Sequence, residues 1–332
     1  MHVEADRAAA PRLVPAPVNW KTKAAIQRLI GALPDAVSYP AYYALQRTMG
    51  GLRQPTPIEH LTGGLGIAER IWREQRSIHS RRFLEIGTGR QVNLPIALWL
   101  CGAGSVVTVD LNPYLKAALV FEHIDYMRRH PSEIDRLFSR VPDRALFTER
   151  FGQLLDAPRD LDRLFSMIGL TYLAPADATC LDVAPASVDY HISFTVLEHI
   201  PPPVLEGIVA EGCRVLTADG RFIHYVDFSD HFAHADPSLS LVNFLQFSED
   251  EWAWWAGNRY AYHNRLRVDE FVSVVERGGA TVRSTEPTVD PRSLDALRQG
   301  YRLDRRFAGK PPETNATVDA WMVAAPGARR TA

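Results

Sequence analysis

The chain has little of several things that would place it in a large class at once. Its 332 residues hold three cysteines. Cys101, Cys180 and Cys213 stand apart without Cys-x-x-Cys spacing, so neither a disulfide framework nor a thiolate zinc site is indicated. That usage fits a reducing cytoplasm. No uninterrupted apolar run approaches the roughly 20 residues that span a bilayer, so no membrane span is expected. An excess of one charge is also missing: 37 Lys and Arg against 39 Asp and Glu give a formal net charge of −2. Without a basic face, nucleic acid is not an expected partner. Residues 1–17 contain Glu4, Asp6 and prolines but no apolar core of a signal peptide, and they read as a flexible tail.

What is present is an ordinary globular composition, 46% hydrophobic and 23% charged, long enough for one full α/β domain plus additions. The most informative stretch is Phe83-Leu-Glu85-Ile86-Gly87-Thr88-Gly89, an apolar strand that ends in an acid and two glycines spaced by one residue. Glycines there let the backbone turn sharply and approach a ligand, while the following helix offers free N–H groups. A second strand-like run, Ser105 to Asp110, ends in an acid about 20 residues further on, where a ribose-binding carboxylate belongs in a βαβ unit. The third glycine of the dinucleotide fingerprint is missing, since Gln91 and Val92 occupy the places it could take. Glu85 lies two positions before the first glycine, where nicotinamide-binding proteins are usually apolar; an acid there suits a ligand with a positive amino group.

Three later segments keep the same order. Leu173-Ala-Pro-Ala-Asp177-Ala178 has the look of a third strand end, Val188 to Phe194 with Leu197-Glu-His199-Ile a fourth strand and turn, and Val204 to Gly220 a helix leading into a fifth strand at Arg221 to Val226. Together these motifs resemble the class I S-adenosylmethionine-dependent methyltransferases, well over residues 81–230 and more loosely to about 325. The resemblance implies an α/β, Rossmann-like, seven-stranded and mostly parallel sheet with one antiparallel edge strand. It implies S-adenosyl-L-methionine as cofactor, bound by Glu85, Ile86, Gly87, Thr88, Gly89, Asp110, Leu111, Asp177, Ala178 and Phe194. Asp110 would take the ribose, Asp177 the adenine amino group, and the Glu85 to Gly89 turn the methionine part. A nicotinamide-dependent oxidoreductase and a non-catalytic nucleoside-binding protein are the alternatives.

The pattern divides the chain into the tail, an N-terminal helical cap at 18–80, and a methyltransferase domain at 81–326. The cap either shapes a substrate pocket or extends the core. Helices near 113–170 form an insertion on the second crossover, covering the adenosine side or making a subunit contact. An aromatic segment runs near 228–267. Helix-like patterning is expected at Trp20 to Leu33, Tyr39 to Met49, Ile58 to Ile78 and Val268 to Arg277, and strands near Ala280 to Thr285 and Ala320 to Ala325.

Transfer to a hydroxyl requires a base near the strand ends. His231 and His234 are three apart with Asp227 a turn earlier, so a carboxylate could orient an imidazole. His231 is the preferred base, with His199 and Asp227 as further catalytic candidates; surface or structural histidines are the bland reading. A metal held by Asp227, His231 and His234 or Asp236 is a further alternative, but Ser193-Phe194-Thr195 offers no acid at the fourth strand end, so no metal is assigned. His224 reads as a packed core histidine. His234, Arg259, Tyr260 and Arg265 are candidates to hold the acceptor, among aromatic and guanidinium groups that suit a sugar or an anion; an aromatic core is the competing reading. Asp-Phe-Ser-Asp-His-Phe and Tyr-His-Asn-Arg-Leu-Arg are similar to bacterial methyltransferases associated with polysaccharide assembly. The expectation is O-methylation of a small or glycan-related acceptor; oligomeric state is left open.

Overall fold

The computed structural model describes residues 19–327, and the tail read at 1–17 lies outside the described residues. The chain divides into two compact units. Residues from 19 to Gln54, Asp230–Tyr262 and Leu303–Arg306 form the smaller, and Pro55–Ser229, His263–Arg302 and the residues from Phe307 onward form the larger.

In the larger unit, seven strands make one sheet: β1 (Arg82–Ile86), β2 (Ser105–Val109), β3 (Leu170–Leu173), β4 (Val188–Phe194), β5 (Leu216–Asp227), β6 (Ala280–Val289) and β7 (Thr317–Pro326). The order is β3-β2-β1-β4-β5-β7-β6. The first five pair in parallel, and β7 runs antiparallel between β5 and the edge strand β6. This is the Rossmann-like sheet expected. Chain order reverses between β1 and β4, so a crevice opens at their carboxyl ends, where such sheets place ligands.

The helices among the described residues, in chain order, are α1 (Trp20–Gly31), α2 (Asp35–Thr48), α3 (Ile58–Arg73), α4 (Asn93–Leu100), α5 (Ala117–Arg129), α6 (Pro131–Leu137), α7 (Arg144–Leu155), α8 (Leu161–Ile168), α9 (Pro202–Val215), α10 (Glu249–Ala256), α11 (Val268–Arg277), α12 (Pro291–Arg298), α13 (Arg305–Ala308) and α14 (Pro312–Ala316). Successive strand residues point to opposite faces, and each face has its own core. Phe83, Ile192 and Ile223 pack with Leu61 and Ile67 of α3, with α4, and with Phe147, Leu154 and Leu164 of the insertion. Leu84, Ile86 and Phe222 pack with Leu205 and Ile208 of α9 and Phe271 and Val275 of α11. The insertion helices α5 to α8 thus extend the first core. α3 approaches the sheet through small residues, since a Cβ on Gly63 would meet the Phe194 ring and one on Gly66 the Trp321 ring.

In the smaller unit, Trp20 of α1 packs on Phe232, Phe247 and Trp255 with ring centroids at 5.6, 5.7 and 4.9 Å. Asp236 accepts the backbone N–H of Trp20 at 3.1 Å. α10 begins in a capping box, with Ser248 and Glu251 satisfying each other's backbone N–H. The first two helices of the 18–80 segment lie in this unit with the aromatic segment, and its third helix, α3, lies with the sheet.

Candidate functional site

The turn after β1 is built by two residues with positive φ, Gly87 at 85° and Gly89 at 65°. A side chain at Gly87 would also run into Val196, 2.5 Å from the Cβ position. The Gly87 N–H is anchored on the Val109 carbonyl at 2.7 Å, tying the turn to the end of β2. There Asp110 accepts the Gly89 N–H through Oδ2 at 2.8 Å and the Asn112 N–H through Oδ1 at 2.9 Å. Each oxygen keeps a further lone-pair direction. Burial pushes the Asp110 carboxyl up, and the N–H groups of Asn112 and Gly89, with Arg90 nearby, pull it back. Leu111 beside it leaves 69% of its surface bare, an apolar side chain at the mouth of the turn.

Glu85 points into the first core with 4% exposure. Thr108 donates to its Oε2 at 2.5 Å, and the Thr88 hydroxyl lies 2.6 Å from that of Thr108. Burial pushes the Glu85 carboxyl up to about 8, against the Thr108 hydrogen bond, with Asp110 adding to the rise. A buried acid in that state favours a cationic partner over water. At the end of β3, Asp177 is exposed and takes both the N–H and hydroxyl of Thr179 at 2.8 Å, which hold its carboxyl below the usual range. Ala178 follows it, partly buried on the second core. The structure therefore brings Glu85 to Gly89, Asp110 and Leu111 together through direct bonds and chain adjacency, with Asp177 at the end of the neighbouring strand.

Phe194 ends β4 and stacks on Tyr225 of β5 at 5.0 Å. The turn that follows carries Glu198, fully buried, and His199, 44% exposed, with His199 Nε2 4.0 Å from Glu198 Oε1. His263 packs edge-on to His199 at 6.1 Å and lies 3.2 Å from the Asp227 carbonyl. Asp227 Oδ1 accepts the N–H and hydroxyl of Ser229 at 2.7 and 2.6 Å.

His231 and His234 lie in the smaller unit with their rings stacked at 5.3 Å. Asp230 next to them is fully buried, accepting from Phe232 N–H and the Asn243 amide at 2.8 Å each. Lys23 Nζ donates to the His231 carbonyl at 3.2 Å. Arg259 pairs with Asp35 and lies over Tyr39, while Tyr260 stacks on Tyr42 at 3.8 Å and bonds Ser38 at 2.7 Å. These contacts fasten α2 to the aromatic segment. Arg265 falls in the larger unit, 1% exposed, its guanidinium over Phe307. His224 is the core histidine expected, its Nδ1 2.8 Å from Ser193 Oγ.

Sequence reasoning missed four groups. Glu198 was in view but hidden behind His199, and Tyr225, Asp319 and Trp321 carry no local motif; only strand register brings them to the end of β4.

No family model and no curated protein matches the chain. Solved structures give remote likenesses. An S-adenosylmethionine-dependent methyltransferase from Mesorhizobium loti is 14% identical over 78% of this chain and 97% of its own, at TM-score 0.38. Phosphoethanolamine N-methyltransferase 2 of Haemonchus contortus, in complex with S-adenosyl-L-methionine, is 15% identical over 86% of this chain and 59% of its own, at 0.44. The cyclase SpnF is 13% identical over 80% and 81%, also at 0.44. At such distances the functional reading rests on this chain's own residues.

Proposed function

We propose that the protein is an S-adenosylmethionine-dependent methyltransferase acting on an oxygen of a small, glycan-related acceptor. One observation carries the cofactor reading: the positive-φ turn of Gly87 and Gly89 is locked by its own N–H to Asp110, with the buried Glu85 directly before it. Asp110 would hold the ribose hydroxyls, Asp177 and Ala178 the adenine edge, Leu111 the ring face, and Glu85 the methionine ammonium. The cofactor, when bound, supplies an electrophilic methyl group. The chain's part is to position the acceptor and take its proton, for which His231, His199 and Asp227 are the candidates. Glu85, two positions before the first glycine where nicotinamide-binding proteins are usually apolar, favours this over a nicotinamide reading.

The test is calorimetry of S-adenosylmethionine and NAD on the protein and its Asp110→Ala variant. Loss of two charge-assisted hydrogen bonds, each worth roughly 1.5–3 kcal/mol, should weaken S-adenosylmethionine at least tenfold. Unchanged affinity in the variant, or tighter NAD binding in the parent, overturns the reading.

A further inference from the structure

The carboxyl ends of β4 and β5 and the amino end of the antiparallel β7 gather acids beside aromatic rings on one face of the sheet. Asp227 stands opposite Asp319 across β5 and β7, and Tyr225 opposite Trp321 two residues back. Phe194 pairs with Tyr225 across β4 and β5. The Tyr225 ring lies 5.0 Å from Phe194 and 4.9 Å from Trp321. Asp319 accepts from the Tyr225 hydroxyl and from Thr288, and Asp227 is held by Ser229. Glu198 differs from both. It is fully buried, the backbone N–H groups of Glu198 and Asp227 are its nearest donors, and neither oxygen has a hydrogen-bonding partner of good geometry. Burying a carboxyl in this way is costly unless an opposite charge arrives.

The nearby cations are committed elsewhere or partial. Arg70 lies 3.8 Å over Trp321, but its guanidinium bonds Glu286 at 2.5 Å and the Gly66 carbonyl. Arg267, buried, donates to the carbonyls of Phe228, Asn315 and Thr317. His199 Nε2 lies 4.0 Å from Glu198 Oε1, and His263 Nε2 lies 3.2 Å from the Asp227 carbonyl. Burial, then the neighbouring carboxylates, push Glu198 and Asp319 up, and Tyr225 rises for the same reasons.

We propose that the face formed by Phe194, Tyr225 and Trp321 with Glu198, Asp227 and Asp319 is a receptor for an organic onium group, either a sulfonium or an alkylammonium. Aromatic faces and carboxylates together attract a weakly hydrated cation, and more strongly where water is excluded. The arriving charge favours ionised Glu198 and Asp319, so binding strengthens as pH rises. The sulfonium source rests on the cofactor reading above; an ammonium on the acceptor does not.

The experiment titrates the full-length protein with trimethylsulfonium, tetramethylammonium and neutral tert-butanol, followed by tryptophan fluorescence and by NMR of the probes. Both cations should saturate, tighten as pH rises, and weaken about tenfold or more in Glu198→Gln and in Asp319→Asn; tert-butanol should not saturate. A preference for S-adenosylmethionine over S-adenosylhomocysteine that disappears in Glu198→Gln identifies the cofactor's sulfonium as the occupant. Tetramethylammonium binding alongside saturating S-adenosylmethionine identifies an acceptor ammonium instead. Cations that bind no better than tert-butanol, or that bind both variants like the parent, overturn the proposal. Cation binding without any S-adenosylmethionine binding would reject the cofactor reading and leave the receptor standing.

Discussion

At the scale of single residues, Glu85 and His231 make separable predictions. Glu85 is pushed up to about 8, so at neutral pH its carboxyl is largely protonated in the free protein. An ammonium partner favours the ionised form, so affinity for S-adenosylmethionine should rise with pH up to about 8 and then level, and Glu85→Gln should flatten that dependence. Calorimetry between about pH 6 and pH 9 checks it; a pH-independent parent rejects a direct role for the carboxyl. His231 is a candidate base from a different part of the chain. If it takes the acceptor proton, His231→Ala should lose ~10²-fold or more in turnover with cofactor affinity intact, and chelation should leave the parent's rate unchanged. A rate restored by added magnesium would reassign the histidine to metal binding.

At the scale of elements, the turn after β1 contains its own control. Gly87 and Gly89 both have positive φ, and a non-glycine residue costs roughly 1–2 kcal/mol in such a conformation. Only Gly87 also faces a wall, Val196, whereas nothing lies within 4 Å of a Cβ at Gly89. Overpacking adds typically 1–3 kcal/mol, so Gly87→Ala should lower the melting temperature more than Gly89→Ala; the reverse order would contradict the geometry. This turn was legible in the sequence because its determinants are local: an apolar run, an acid, two glycines, and a second acid one crossover later. The strands and the insertion helices were legible for the same reason. The grouping of Glu198, Tyr225, Asp227, Asp319 and Trp321 was not. It exists because β7 inserts antiparallel beside β5 and sets Asp319 opposite Asp227, a register that no local pattern encodes. The aromatic segment was ambiguous in sequence because packing and sugar binding ask for the same rings; here Trp20, Phe232, Trp252 and Trp255 are occupied with one another.

At the scale of the whole molecule, buried ionisable groups of opposite kind set the pH of greatest stability. His191 and His224 lie side by side in the second core with ring centroids 5.2 Å apart. Burial lowers His191 to about 3 and His224 well below 6.5. Between the folded and unfolded values the unfolded chain binds more protons, so their contribution is present above 6.5 and is lost as pH falls below it. Glu85 and Glu198 run the other way. Burial raises Glu85 from 4.5 to about 8 and Glu198 well above 4.5, so their contribution is full below 4.5 and is lost as pH rises toward 8 and beyond. The two trends oppose each other between about 4.5 and 6.5; below that window only the histidines act, and above it only the acids. Stability should therefore peak inside the window and decline on both sides, rather than hold a plateau to pH 8. Urea midpoints across about pH 4 to pH 9 test the shape. His191→Phe should soften the acid limb, and Glu198→Gln the alkaline limb, each leaving the other in place. A midpoint that stays level from pH 6.5 to pH 8 would mean that Glu85 and Glu198 are already ionised in the folded protein.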